Sequence, residues 1–594
     1  MIEKDIYTFI RAQETAFDQP ININGWEWNL RSHIKTSFYY IHGRLLNGND
    51  EDTPVKNITR PILNLQSRAE DIDVKDIVLY VDDPDSYHLS FLVKKYHDDV
   101  FVIENDLDTF YDEIKESKIH YGGGLCKKMA DARPQMIDLQ SIAFCDQTSL
   151  LGGPIGIRHY FAPDELKEME AAGWGRKENG ATGTIDELIT LGNSEKVVDK
   201  MTGTVSKTTG TNVEIYEVHG MLPLSYLEDS GDPLKYEYQL HIIGFYKNDK
   251  DEKIGISLFR KKQKKGNLKL VLRDRVFSRA LGFGGAEEIF EPQVWTNYDV
   301  IRQKELLDAC AKVILQTTDP AIAAKHPSGL KNLDNLEILT LAEGTDLKQV
   351  DNTPRSMALF ERAVSEWNDY ARTMGGATEA LLGKNAPSGT PFKLQDLVTT
   401  QGQGLHDYRR GKFAKFIEEI YKDWIIPHIA AEITSGSKFL SELSTDEMQY
   451  VADCVVRSET NSYIKRKIIA GGLIEDGEVE AYKQLVREEF RRGGNKKFIE
   501  ILKGEFDKKP LRVKVNVAGK QKDLGRITDA VVNILKQAIA SPEGFQMMMQ
   551  NPDLARNFNK ILEYSNLSPA DFSNTQYKSP IPSPLQMTKQ ATPA

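Results

Sequence analysis

Between Met374 and Leu397 the sequence reads MGGATEALLGKNAPSGTPFKLQDL, and its Gly375–Pro391 portion suits no regular element. Paired glycines, Gly-Lys-Asn and Pro-Ser-Gly-Thr-Pro fall between Gly375 and Pro391, which rules out helix and strand, and the stretch is too long for a tight turn. Strong helical patterns nevertheless flank it. Upstream, Thr353 reads as a cap with Pro354 at the first helical position. Met357, Phe360, Val364, Trp367 and Ala371 then recur at steps of three and four. Downstream of Phe392, apolar residues from Leu394 and Leu397 through Leu405, Tyr408, Phe413, Phe416 and Ile420 to Trp424 keep helical spacing. Gly402, Gly404 and Gly411 interrupt that run, which predicts a long helix bent near Gly402–Gly404 and ending around Pro427. A glycine- and proline-rich segment between two such helices is either a disordered surface loop or a working loop held between rigid helices.

A second helix precedes this arrangement. YDVIRQKELLDACAKVIL, Tyr298 to Leu315, places Val300, Leu307, Cys310 and Ile314 on one face and stops before Pro320. Thr317 to Asn352 then holds Pro320, Pro327 and Gly329, followed by LEILTLAEGTDLKQV, a strand, a Glu-Gly turn and another extended piece. The order is therefore helix, small β insert, helix, with the two helices predicted side by side and each roughly 30 Å long.

The first ~290 residues read as mixed α and β. Asn24 to Leu46 is aromatic-rich and predicted helical; VKDIVLYVDD and DDVFVI are predicted strands; DLDTFYDEIKES and PDELKEMEAAGW are predicted helices. NVEIYEVHGMLP, YEYQLHIIGFYKN, KIGISLFRKK and NLKLVLRDRVF read as neighbouring antiparallel strands. Ser444 to Gly504 is predicted helical, and the closing Pro/Ser/Thr-rich residues are predicted mobile. The fold class expected is α+β.

Sites of chemistry are scarce. Cys126, Cys145, Cys310 and Cys454 form no C-x-x-C pair, which disfavours disulfides and a zinc knuckle. HYGGGLCKK and LGFGGAEE match neither nucleotide-binding glycine pattern and read as turns. LLGKNAPSGT lacks the residues of a phosphate loop, and H-E-x-x-H and G-x-S-x-G are missing. No metal, cofactor or enzymatic activity is expected. The early acids argue against a signal peptide, and no apolar run reaches membrane length, so an intracellular site of synthesis and no membrane partner are expected. With 76 basic against 87 acidic residues the net charge is −11, which argues against tight phosphate contact over most of the surface. The basic run FRKKQKKG, Phe259 to Gly266, reads first as a solvated hairpin loop and second as a contact for nucleic acid or an acidic neighbour.

Ala280 to Ile429, from ALGFGGAEEIFEPQVWTNYDVIRQKELLD to the end of EEIYKDWIIPHI, resembles the portal proteins of tailed double-stranded DNA bacteriophages. A weaker likeness reaches upstream through VHGMLPLSY and YQLHIIGFY. The resemblance implies a portal fold divided into a wing (1–291), a first stem helix (292–316), a clip (317–352) and a second stem helix (353–374). It further implies a tunnel loop (375–391), a long kinked wing helix with its connection (392–443), a helical crown (444–567) and a flexible tail (568–594). Gly375, Gly376, Lys384, Asn385, Pro387, Gly389 and Lys393 would then belong to the DNA-facing loop, with Lys384 and Asn385 as phosphate contacts. Val300, Leu307, Cys310, Ile314, Phe360, Val364 and Trp367 would belong to the stem, and His326, Lys331, Glu337 and Lys348 to the docking clip. The implied function is a non-enzymatic twelve-subunit ring in the virion, assembled in the host cytoplasm at one capsid vertex. It would pass double-stranded DNA during packaging and ejection. The implied partners are the terminase large subunit, the major capsid and scaffold proteins, and head–tail adaptor or neck proteins. Twelve copies at −11 would carry about −132, letting DNA slide without being gripped. The competing readings are another virion component, such as a head–tail adaptor or capsid protein, and a nucleic-acid enzyme.

Overall fold

The computed structural model describes residues 2–44, 55–80, 87–191, 212–228, 231–247, 253–310, 315–318, 347–349, 357–377, 404–435, 445–473, 475–489 and 512–515, with a few isolated positions. Helix and sheet are mixed throughout. α1 (Ile2–Phe17) leads into a hairpin of β1 (Ile21–Ile23) and β2 (Trp26–Trp28), then α2 (Leu30–Ile41) and α3 (Thr59–Ala69). Asn24 and Gly25 take φ of 51° and 89° at the hairpin turn. The predicted helix over Asn24–Leu46 is thus a strand followed by a shorter helix, because Asn-Gly supplies the two positive φ angles of a tight hairpin.

Next come β3 (Ile77–Tyr80), α4 (Tyr87–Tyr96), a π-helical turn over His97–Phe101, α5 (Val102–Asn105) and α6 (Leu107–Tyr121). DDVFVI is therefore helical, not a strand. No glycine or proline separates it from α4, and the widened turn carries the buried His97 against Tyr421, whose hydroxyl lies 2.7 Å from Nε2.

The strands β4 (Gly123–Lys128), β5 (Pro134–Ile137), β6 (Ile142–Phe144) and β7 (Ile155–Phe161) follow. Helices α7 (Pro163–Glu168) and α8 (Ile185–Leu191) separate them from β8 (Val213–Pro223), β9 (Tyr236–Lys247), β10 (Lys253–Lys262) and β11 (Leu268–Leu272). The largest sheet has the antiparallel order β10-β9-β8-β7-β6. Both its faces are buried: Tyr216, Val218, Ile243 and Phe245 pack toward α1 and α2, while Val213, Ile215, Ile242 and Leu258 pack on α7 and α8. Double burial explains the near-continuous apolar character of β8 and β9. The strand β11, predicted to continue that series, leaves it and forms a second sheet in the order β11-β4-β5.

The two glycine-rich stretches abut there. Gly122 (φ 85°) ends α6, and its carbonyl accepts from the amides of Arg273 and Gly282. A Cβ on Gly122 would lie 2.3 Å from Gly282 O, and one on Gly282 2.5 Å from Asp274 O. Only glycine permits this backbone-to-backbone approach.

The remainder is mostly helical: α9 (Gly285–Glu288), α10 (Phe290–Cys310), β12 (Leu315–Thr317) paired antiparallel with β13 (Leu347–Gln349), and α11 (Met357–Met374). Then come α12 (Gly404–Ile420), a second π-helical turn (Tyr421–Ile425), α13 (Ile426–Ser435), α14 (Thr445–Ile469) and β14 (Arg512–Val515), with a further helical stretch over 476–489. The helix predicted to end near Pro427 runs on to Ser435. The Ile426 amide bonds back to Tyr421 O, and this wider turn lets Pro427, which has no N–H to place, enter in a first turn. Past the Ser444–Gly504 stretch predicted helical, within the range the resemblance assigns to a helical crown, a strand, β14, returns to pair with β3. Its apolar residues join a core shared by α4, α6, α12, α13 and α14.

Candidate functional site

The site is built on α10 and α11. The ring planes of Trp295 and Trp367 lie 10° from parallel with centroids 6.2 Å apart, and Tyr298 and Tyr370 stand edge-on to them. α10 begins at Phe290, eight residues before the predicted start, because Pro292 falls in its first turn, where a missing N–H costs nothing. The predicted face of α10 is only partly covered: Val300 and Cys310 are half-buried, and Leu307 is 48% exposed. On α11, Val364 is buried and Phe360 and Trp367 are half-buried. Lys348 is exposed on β13, opposite Gln316. Ile314, His326, Lys331, Glu337, Lys384, Asn385, Pro387, Gly389 and Lys393 lie outside the described residues.

The end of α11 is set by three residues of MGGA. The Ala377 amide bonds to Arg372 O (2.8 Å) and the Gly376 amide to Thr373 O (3.3 Å), with Gly376 at φ 66°. This is a Schellman termination, and Ala377 closes it by packing beside Ala371, Ile58, Ile62 and Ile289. Gly375 is required for a different reason: a Cβ there would come within 2.4 Å of Ile62 Cγ2.

Both carbonyls at this root are held. Gln66 Nε2 donates to Gly375 O (2.8 Å), and His406 Nε2 to Gly376 O (3.1 Å). His406 lies on the first turn of α12, so one side chain ties the root before residue 378 to the root after residue 403. Beneath it sits an ionic cluster. Glu70 and Lys118, both fully buried, pair at 2.6 Å, and His406 Nδ1 is 3.9 Å from Glu70. Arg409 bonds Asp274 (2.7 Å) and Glu288 (3.0 Å), and Glu288 also takes Arg273 (2.9 Å). Lys118 additionally donates to Arg409 O and stands over the Phe413 ring.

Lys118, Arg273 and Arg409, with the partly exposed Lys412 3.5 Å from Asp274, thus face Glu70, Asp274 and Glu288, so the charges largely compensate one another. Burial alone would raise the Glu70 carboxyl. The Lys118 ammonium, the nearby His406 ring and Arg273 outweigh it and hold the group at about 2. Burial draws the Lys118 ammonium below its usual range, against the pull of Glu70. The neighbouring Arg279 makes a two-pronged pair with Glu287 (2.8 and 2.7 Å). Both acids of GGAEE are therefore structural counter-charges.

Helical spacing puts Leu405 and Tyr408 on the apolar face of α12, but they are 42% and 61% exposed. The buried face there is polar, His406 and Arg409, because carboxylates from three other segments meet it. A signal existed: His406, Arg409 and Phe413 share one helical face, so two charged-type residues continue an apolar stripe.

Among the described residues no cluster of His, Cys, Asp and Glu could hold a metal ion, and no helix is long and apolar enough to cross a membrane. No family model and no curated protein matches the chain. Among solved structures, it is similar to a chain in the virion of a native gene transfer agent particle. That match has 8% identity and a TM-score of 0.32, over 75% of this chain and 98% of that one. A chain in the neck of an empty gene transfer agent particle gives 9% identity and a TM-score of 0.33, over 74% of this chain and 98% of that one. At these scores neither likeness carries a functional argument.

Proposed function

We propose that the chain is a portal-type ring subunit: a non-enzymatic virion protein whose copies surround a channel for double-stranded DNA. The observation that carries this reading is the joint anchoring of the Gly/Pro segment. α11 stops at Gly375–Gly376, α12 starts at Gly404, and Gln66 and His406 fix the exit carbonyls onto the body. Fixed roots and a Gly/Pro-rich interior suit a segment that shifts beside a moving polymer while its ends stay put. The α10–β12–β13–α11 order fits the stem–clip–stem order of the sequence resemblance. In this reading the β12–β13 end, with exposed Lys348, docks the terminase and later the neck proteins, and the rest of the body meets capsid and scaffold proteins.

The test is a photo-cross-linking amino acid at Lys384 in DNA-filled particles. The reading expects DNA adducts at position 384 and none at the buried Lys118. Particles that yield no adduct at 384, while other positions of the chain do cross-link DNA, would remove the loop from the channel.

A further inference from the structure

The ring reading leaves the basic run at Phe259–Gly266 unused, and the fold gives it company. β10 belongs to the large sheet and β11 to the small one, so the connection between them is not a hairpin loop but a crossing turn between sheets. That turn lies against the β4–β5 turn, joined by the Lys128 amide donating to Asn267 O (2.8 Å). Two basic segments far apart in sequence, Lys127–Arg133 and Lys261–Lys269, therefore meet at one end of the small sheet.

Part of this charge is neutralised: Lys127 by Glu217, Lys262 by Glu237 and Lys269 by Asp423. Lys261, Lys264 and Lys265 are exposed, Lys128 is half-buried, and none of the four pairs with an acid among the described residues. The turn itself is held rigidly. Trp424 Nε1 donates to Gly266 O (2.9 Å), and Lys269 lies over the Trp424 ring.

We propose that this paired turn is a second contact surface for duplex DNA, binding the phosphate backbone without regard to sequence. Four unneutralised cations gathered on a chain of net charge −11 run against the prevailing charge, so a polyanion is the partner they attract. None of the large exposed hydrophobic residues falls within 127–133 or 261–269, so the patch lacks the apolar anchor of a protein interface. Trp424 is buried, leaving no stacking platform from that ring for single strands. From His406 at the loop root the α-helix runs fourteen residues to Ile420, about 21 Å at 1.5 Å per residue, and the π-helical turn then carries the chain on to Trp424 at the paired turn. The patch is therefore spatially distinct from the loop, and the inference stands whether or not the ring reading does.

The test is fluorescence anisotropy of the full-length protein with a 5′-labelled duplex of about 30 base pairs, titrated across salt concentration. The comparison is wild type against Lys261→Ala/Lys264→Ala/Lys265→Ala, with Lys384→Ala as the loop control. Circular dichroism establishes that each variant is folded. Each lost phosphate contact lowers the slope of log K against log salt by about 0.9, so the triple variant should lose about 2.7. Lys384→Ala should retain the patch contribution. Wild-type protein that does not bind duplex, or a triple variant with unchanged slope, overturns the proposal. So does polyglutamate that displaces the duplex at a lower charge concentration than unlabelled duplex does, which would assign the patch to an acidic protein.

Discussion

Replacing Glu70 by glutamine removes the carboxylate that neutralises Lys118 and leaves an ammonium buried beside Arg273 and Arg409. Two routes give the cost. Breaking a buried pair by removing one partner costs about 3–5 kcal/mol. Holding the carboxyl at about 2, against an ordinary 4.5, corresponds to about 3 kcal/mol. Glu70 is fully buried, so solvent screening does not erode the figure. The loss falls on the junction of α3, α6 and α12, which carries Gln66 and His406 and so the grip on Gly375 and Gly376. The assay is hydrogen–deuterium exchange by mass spectrometry on peptides covering 66–70, 114–118 and 372–377, with β8 as internal reference. A loss of about 3 kcal/mol predicts roughly 150-fold faster exchange at the first three sites. Glu70→Gln/Lys118→Met, which removes both charges, should recover most of that protection. Exchange within threefold of wild type in the single variant, or equal exchange in single and double variants, would refute the reasoning.

The same pair fixes a pH dependence. The Glu70 carboxyl is lower in the folded state, so its stabilisation is complete above about 4.5 and disappears as pH falls through about 2; the protection difference between wild type and Glu70→Gln should therefore shrink across that window. Gly376→Ala places a side chain at φ 66° with its Cβ 3.0 Å from His406 Nε2, and should cost about 1 kcal/mol of protection at residues 372–377 while leaving β8 unchanged. Gly122→Ala forces a Cβ to 2.3 Å from Gly282 O, an approach no rotamer relieves, and soluble expression at 25 °C should collapse where Gly25→Ala, with open space around it, is tolerated better.

What the sequence disclosed was set by how local the cause was. The helix around Val364 and Trp367 and the strands β8–β10 follow from spacing and β-branched content, and a single chain segment suffices to read them. The β1–β2 hairpin was equally local: Asn24-Gly25 is a direct turn signal, passed over because the surrounding aromatic residues suit a helix as well. DDVFVI differs from its predicted strand for the opposite reason. Its residues favour strand, but the bond from His97 to Tyr421, 324 positions away, depends on the tertiary fold. β14 lay in plain view as the alternating RVKV, yet only its pairing with Ile77–Tyr80 makes it a strand. The loop roots divide likewise. Gly375 and Gly376 were legible because helix termination is a local event. Gln66, Glu70, Lys118, Asp274, Glu288 and Arg409 were not, because these charged and amide side chains come from five segments and acquire a role only when folding brings them together.

The ring itself is the central claim, and mass photometry of the purified full-length protein, read together with negative-stain images, tests it most directly. Twelve copies of a 67.1 kDa chain predict a particle of about 805 kDa with a central hole. A species that stays at one or two chain masses at micromolar concentration, with no ring when scaffold or capsid protein is added, would contradict it.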